Sequence, residues 1–238
     1  MQEKKVALVT GANKGIGFEI ARGLGERGMM VVIGARDEAR REAAVARLRS
    51  EGHDVVGVAL DVTSDHSART TAEAVADRIG RLDVLVNNAG IGGRVNDGAQ
   101  DPTELDLDVL RTVLETNVFG VIRVTNAVLP LLRRSPAPRI VNISSNMGSL
   151  TLQTGPQLAA YAASKTMLNS ITVQYARRFA GEPIIVNAVC PGYVATDFTG
   201  HDGTRTPRQG AQIALRLATV HDDGPRGGFF DEAGSVPW

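Results

Sequence analysis

A doubly wound, parallel α/β sheet with helices on both faces is the fold this sequence predicts, and three observations carry the prediction. Short β-branched runs alternate with helical stretches from one end of the chain to the other. The runs are apolar almost throughout, as strands covered on both faces are, and do not alternate apolar with polar. The residues with chemical potential collect just after strands, where an open parallel sheet binds its ligands.

In order, KVALVT (5–10), MVVIGA (30–35), VVGVAL (55–60), DVLVN (83–87), RIVNIS (139–144), IIVNAV (184–189) and GGFF (227–230) read as strands, about seven in all. Helical patterns lie between them near 15–27, 38–50, 65–79, 105–133, 156–180 and 207–220. In the long helix, Leu110, Leu114, Val121, Thr125 and Val128 mark the inward stripe, interrupted by Asn117. RRSPAPR (133–139) reads as a surface connection, and residues 1–238 read as one domain without internal repeats.

Composition narrows the function. Apolar residues make up 43%, enough for a substantial core. Lys+Arg and Asp+Glu both number 26, so nothing in the bulk charge favours nucleic acid or an anionic membrane as partner. The single cysteine, Cys190, admits no internal disulfide and reads as buried and inert. No membrane span or signal peptide fits, so a cytoplasmic protein is expected. His53, His66, His201 and His221 are scattered without metal-ligand spacing, and no metal is expected.

The first strand runs into Thr10-Gly11-Ala12-Asn13-Lys14-Gly15-Ile16-Gly17 and then a helix. Glycines there permit a tight turn and let backbone approach a pyrophosphate, whose charge suits a helix N-terminus. A glycine-rich turn can also be a plain connection, so its position after the first strand matters. Further on, Asn87-Asn88-Ala89-Gly90 follows the fourth strand, Asn117 stands in TNVFG, and Ser145 ends NISS. Tyr161 and Lys165 frame YAASK, and Pro191-Gly192 leads to Thr196. In this order and over nearly the whole chain, the motifs resemble the short-chain dehydrogenase/reductase family, whose fold is of the Rossmann type.

The resemblance implies a nicotinamide cofactor held by Gly11, Asn13, Lys14, Gly15, Ile16 and Gly17, then by Asn88, Ala89 and Gly90. It also implies contacts from Pro191, Gly192, Val194 and Thr196, with Asp61 on the adenine and Val62 alongside. Asp61 reads equally as a cap for the helix beginning near 64. The second strand ends Gly34-Ala35-Arg36-Asp37. An acid there would take the ribose 2′-hydroxyl of NAD, whereas a 2′-phosphate needs cations. Ala35 fills the acid's slot, while Arg36 and Lys14 match the basic positions of NADP(H)-dependent members. Asp37 could be an NAD-type ligand, but it directly precedes a helical run, where Asp is a good N-cap.

Tyr161 and Lys165 are four apart, on one helix face. A free tyrosine has a pKa of about 10, and a nearby ammonium would lower it. The resemblance implies that Tyr161 protonates a substrate oxygen, that Lys165 holds the nicotinamide ribose, and that Ser145 hydrogen-bonds the same oxygen. Ser144 is adjacent and leaves that register open. Asn117, buried by its place in the stripe, needs partners, because an unpaired buried amide costs roughly 1–3 kcal/mol. In the family it bends its helix and supports a water leading to the lysine.

The chain looks nearest to the carbonyl-reductase branch, which implies a small aldehyde or ketone substrate. Animal members of that branch carry a long insertion before the tyrosine that covers a helix face used elsewhere for pairing. Its absence here predicts a homodimer or homotetramer through the helices at 105–133 and 156–180. Sixteen positions separate Ser145 from Tyr161, and the excess over compact members falls in Leu150–Leu158, around TLQTGPQ, beside the expected cleft. That cleft is expected to be shaped by the loop after Pro191 and by residues 91–104. Two other readings stay open: a ketoreductase for carrier-bound 3-oxoacyl chains, with Arg94 and Arg205 as its docking cations, and a non-catalytic nucleotide sensor.

Overall fold

The computed structural model describes residues 4–94, 99–153 and 156–238. Seven strands form one wholly parallel sheet: β1 (Val6–Thr10), β2 (Met30–Ala35), β3 (Val55–Ala59), β4 (Val84–Asn87), β5 (Arg139–Ile143), β6 (Ile185–Val189) and β7 (Phe229–Phe230). Their order, β3-β2-β1-β4-β5-β6-β7, reverses between β1 and β4, which opens a crevice beyond the carboxyl ends of those two strands. The helices are α1 (Gly15–Glu26), α2 (Glu38–Ser50), α3 (Asp65–Arg78), α4 (Leu107–Leu114), α5 (Gly120–Leu132), α6 (Ala159–Arg178) and α7 (Pro207–Ala218). Two apolar clusters cover the two faces of the sheet, one holding Val9, Ile20, Leu24 and Ile33, the other Leu8, Leu85, Val128 and Ile140. That is why the strands read as continuous apolar runs. Among the described residues, no helix is long and apolar enough to cross a membrane.

The expected helix at 105–133 is interrupted. α4 and α5 are joined by a π-helical turn, Glu115–Phe119, which contains Asn117. The wider turn changes the register of the inward face, so Val109 and Val113 are buried while Leu110 and Leu114 are only half-buried. Gly120 then lets α5 close on the segment after β3, since a Cβ there would stand 2.9 Å from Val62 Cγ2. The connection at 133–139 is less superficial than expected. Ser135 is buried because it donates to Asp83 at 2.6 Å, and Arg139 because it reaches the Val220 carbonyl at 3.0 Å.

Asp37 caps α2, accepting the Arg40 N–H at 2.9 Å. The cap of α3 is Ser64 and not Asp61. Asp61 instead accepts the Thr63 N–H and hydroxyl at 3.0 and 2.7 Å, closing a turn on itself.

Candidate active site

The carboxyl ends of β1 and β4 are tied by one hydroxyl. Thr10 Oγ1 accepts the N–H groups of Asn88 and Ala89 at 2.9 and 3.0 Å. Asn88 Nδ2 in turn donates to the carbonyls of Thr10 and Gly11 at 2.9 and 3.2 Å, so this amide braces the glycine turn from behind. Gly11 and Gly15 have φ of +64° and +57°, and a Cβ on Gly17 would lie 2.4 Å from Asn88 Nδ2. The turn therefore presents bare backbone.

No side chain caps α1, whose N-cap position is Lys14. Its first N–H groups are left facing the crevice, as an anion at a helix N-terminus requires. Asn13 and Ile16 flank the turn half-buried. Arg36 is exposed at the end of β2 and makes no hydrogen bond or ion pair among the described residues. These features fit a dinucleotide with an anionic group near Arg36.

Lys14 departs from expectation, because Asp197 Oδ2 holds its ammonium at 2.5 Å. Asp197 opens a short 3-10 turn, Asp197–Thr199, beyond Pro191 and Gly192, and His201 Nε2 stands 3.1 Å from its other oxygen. Val194 is buried, and Thr196 lies against Gly15, where a Cβ would be 3.4 Å from Thr196 Cγ2. Burial opposes ionisation of Asp61, but the Thr63 contacts and the charges of Arg36 and Arg123 hold its carboxyl below the ordinary range. Val62 beside it is buried under α5.

Ser145, Tyr161 and Lys165 come together at the carboxyl end of β5. Tyr161 is the third residue of α6, and its phenol faces the Ser145 hydroxyl, which favours the phenolate. Ser144 is turned away and donates to Asn169 Oδ1 at 2.6 Å, so of the two serines it is Ser145 that faces Tyr161. Lys165 Nζ donates to the Ile143 carbonyl at 2.8 Å and stands 5.6 Å from the Tyr161 ring centroid. A Cβ on Gly90 would be 3.6 Å from that Nζ, so the strand β4 loop closes over it.

Asn117 is fully paired. It accepts the Ile91 N–H at 2.8 Å and donates to the Ile91 carbonyl and to Ser164 Oγ at 2.9 and 3.0 Å. Ser164 passes the link on, donating to the Tyr161 carbonyl at 2.7 Å.

Charge at the pair runs against the simple expectation. Burial pushes the Tyr161 phenol up to about 12, with the Ser145 hydroxyl pulling the other way. Burial pushes Lys165 down to about 8. The ammonium faces a carbonyl, not the phenol, so desolvation outweighs it in this arrangement. Cys190 lies close by, and burial pushes its thiol up.

Above the pair, the half-exposed Phe198 ring is 5.4 Å from the Tyr161 ring, and a Cβ on Gly92 would meet it at 3.2 Å. Tyr193 and Leu152 are exposed on the neighbouring loops. Val95–Gly98 of the expected pocket segment, and Thr154 and Gly155 of the insertion, lie outside the described residues. Gln100, Asp197 and Phe198 were not singled out by the motifs, and Thr10 and Ser164 stood inside the glycine-turn and YAASK motifs without a role of their own. Each acts through a partner distant in the chain. No cluster of metal-ligating residues occurs among the described residues.

The family model for short chain dehydrogenases matches residues 5–206. The chain is 33% identical to mouse carbonyl reductase [NADPH] 1, covering 99% of each protein. That alignment runs over 280 positions against 238 residues here, so the mouse protein carries insertions relative to this chain. Among solved structures, salutaridine reductase from Papaver somniferum superposes with a TM-score of 0.86 at 31% identity, covering 96% of this chain and all of that one. A variant actinorhodin polyketide ketoreductase with NADPH gives 0.85 at 33% identity over 98% of this chain and 97% of that one. The chain belongs to the short-chain dehydrogenase/reductase family, near its carbonyl-reductase branch.

A buried ammonium makes a prediction about stability. With a folded pKa of about 8 against 10.5 unfolded, the folded chain bears the cost of burying the charge below pH 8. The unfolded chain binds the extra proton between those values, so stability rises with pH there. Lys165→Met should therefore unfold at higher urea than wild type at pH 7, by about 1–3 kcal/mol after loss of the Ile143 hydrogen bond. The gap should close as pH rises from about 8 toward 10.5; a gap independent of pH contradicts the assignment.

Proposed function

We propose that this chain reduces an aldehyde or ketone to an alcohol with NADP(H), Tyr161 acting as the proton donor. The observation that carries the reading is the convergence of Ser145, Tyr161 and Lys165 beside an uncapped helix N-terminus, at the point where the strand order reverses. The cofactor, bound along Gly11–Gly17 and the segment Asn88–Gly90, supplies the hydride.

The Ser145 and Tyr161 hydroxyls face each other, so a carbonyl oxygen entering between them meets two hydroxyl donors. Such donors matter most as negative charge develops on that oxygen. Tyr161 then yields its proton to the oxygen, and the Lys165 ammonium, 5.6 Å from the ring and held on the Ile143 carbonyl, would turn toward the phenolate left behind and stabilise it. The Asn117–Ser164 contacts hold the first turns of α6 in place during this transfer. Phe198, Tyr193 and Leu152 offer an apolar wall for the body of the substrate.

Support for NADP(H) over NAD(H) comes from Arg36, left unpaired among the described residues, and from Asp37, committed to capping α2. The mouse relative, carbonyl reductase [NADPH] 1, agrees. Lys14 would exchange Asp197 for the phosphate. Carrier-bound substrates gain less support: Arg94 and Arg205 each lie 2.5 Å from a carboxylate, on Asp106 and Glu232, and would have to exchange that partner for an acidic carrier.

For assembly we propose a homodimer or homotetramer through α4, α5 and α6. Leu107, Phe119 and Met167 are exposed on these elements, and pairing would cover them.

Three measurements test these statements. Tyr161→Phe should lower kcat by at least about a thousandfold and leave NADPH affinity nearly intact, whereas Lys165→Ala should weaken both; a folded Tyr161→Phe with near-wild-type turnover sinks the mechanism. NADPH should bind more tightly than NADH, and replacing Lys14 and Arg36 with alanine should erase that preference; a double variant that keeps it refutes the assignment. Light scattering at micromolar concentration should give a dimer or tetramer, and a monomer contradicts the proposed pairing.

A further inference from the structure

α6 begins without a side-chain cap of its own, its N-cap position being Leu158. Yet Tyr161 sits in its first turn, where helix ends fray unless their N–H groups are satisfied. Gln100, 61 residues earlier in the chain and 2% exposed, satisfies them. Its backbone carbonyl accepts the Ala159 N–H at 3.2 Å, and its side-chain Oε1 accepts the Tyr161 N–H itself at 3.1 Å.

The other end of the same amide faces the opposite wall. Nε2 donates to the Gly92 carbonyl at 2.8 Å and to the Arg94 carbonyl at 3.2 Å. Gly92 is the residue on which the Phe198 ring rests. One buried amide therefore fixes both the backbone of Tyr161 and the segment opposing it.

We propose that Gln100 is a positioning residue for the reaction: it caps the catalytic helix at Tyr161 and sets the phenol against Ser145 and Lys165. The inference rests on the reading of Tyr161 as proton donor. Lys165, one turn further on, is anchored independently through the Ile143 carbonyl. Without the cap, the first turn is held only through the Asn117–Ser164 link; it shifts while the second stays, and the phenol moves relative to the ammonium and the serine. Turnover suffers, whereas the cofactor turn after β1, braced by Thr10 and Asn88, does not feel the change.

Two substitutions test this. Gln100→Leu removes both functions of the amide. Gln100→Glu keeps an acceptor for the Tyr161 N–H; protonated, it also keeps a donor toward the Gly92 carbonyl, and ionised it sets a negative charge against two carbonyls. For each variant we would measure kcat with a ketone substrate and NADPH across pH, NADPH affinity by direct titration, and thermal unfolding.

Gln100→Leu should lose about ten- to a hundredfold in kcat with NADPH affinity changed less than about twofold. Gln100→Glu should approach wild-type kcat at acid pH and fall away from it as pH rises. A folded Gln100→Leu with kcat within about threefold of wild type overturns the proposal, as does a Gln100→Glu to wild-type ratio that is flat with pH. Should Gln100→Leu fail to fold, the pH profile of Gln100→Glu decides alone. Tyr161→Phe, run alongside, separates the two claims: if it remains active, the proton-donor reading fails whatever Gln100 does.

Discussion

Everything at the reactive end of this molecule depends on how α6 is held to the end of β5, and the contact is polar. Asn142 donates to Thr172 at 2.9 Å, the Ile143 carbonyl accepts Lys165 at 2.8 Å, Ser144 donates to Asn169 at 2.6 Å, and Ser145 meets Tyr161. Four successive residues thus engage one face of the helix. Apolar packing alone would let a helix slide or rotate with modest loss. Here a slip of one turn would strand several buried polar groups, each costing roughly 1–3 kcal/mol. Register is what the ladder fixes, and with it the spacing of hydroxyl, phenol and ammonium. Burying Lys165 is the price of that precision, visible in its depressed pKa.

The same network reaches the cofactor side. Asn87 Nδ2 donates to Asn142 Oδ1 at 2.9 Å and to Thr125 Oγ1 on α5 at 3.1 Å, and the next residue, Asn88, braces the glycine turn. Thr10 closes the loop by holding the backbone of Asn88 and Ala89. A set of buried and half-buried hydrogen bonds therefore runs from the glycine turn, across β4 and β5, to α6. The two halves are also linked over the top, where Asp197 pairs with Lys14 and its neighbour Phe198 lies on Tyr161.

How much of this was legible in the sequence follows from the range of each interaction. Strand positions such as Val6–Thr10 and Ile185–Val189 could be read because continuous apolar runs are a local property of a doubly covered sheet. Asp37 as a cap was local too. Ser145, Tyr161 and Lys165 were legible through motif order, not periodicity, because the inward face of α6 carries Lys165, Asn169 and Thr172 and looks like a surface. A bend at Asn117 was implied by the family resemblance, but not its π-helical form, in which Asn117 pairs with Ile91 and the buried stripe runs through Val109 where Leu110 was expected. Gln100 and Asp197 escaped because their partners lie 61 and 183 positions away. Nor did spacing reveal the raised Tyr161 pKa, which depends on which atom the Lys165 ammonium faces.

The claim that this buried constellation serves hydride transfer to a carbonyl is tested most directly by isotope tracing. Reduction of a ketone with NADPH deuterated at the nicotinamide C4 hydrogen that is transferred, read by mass spectrometry and NMR, should place one deuterium on the carbinol carbon for each cofactor oxidised. The account predicts that label in the wild-type product, using cofactor prepared with deuterium on each face in turn so that one of the two transfers it. Alcohol formed without label from either preparation, or no cofactor oxidation across a panel of aldehydes and ketones, would contradict it.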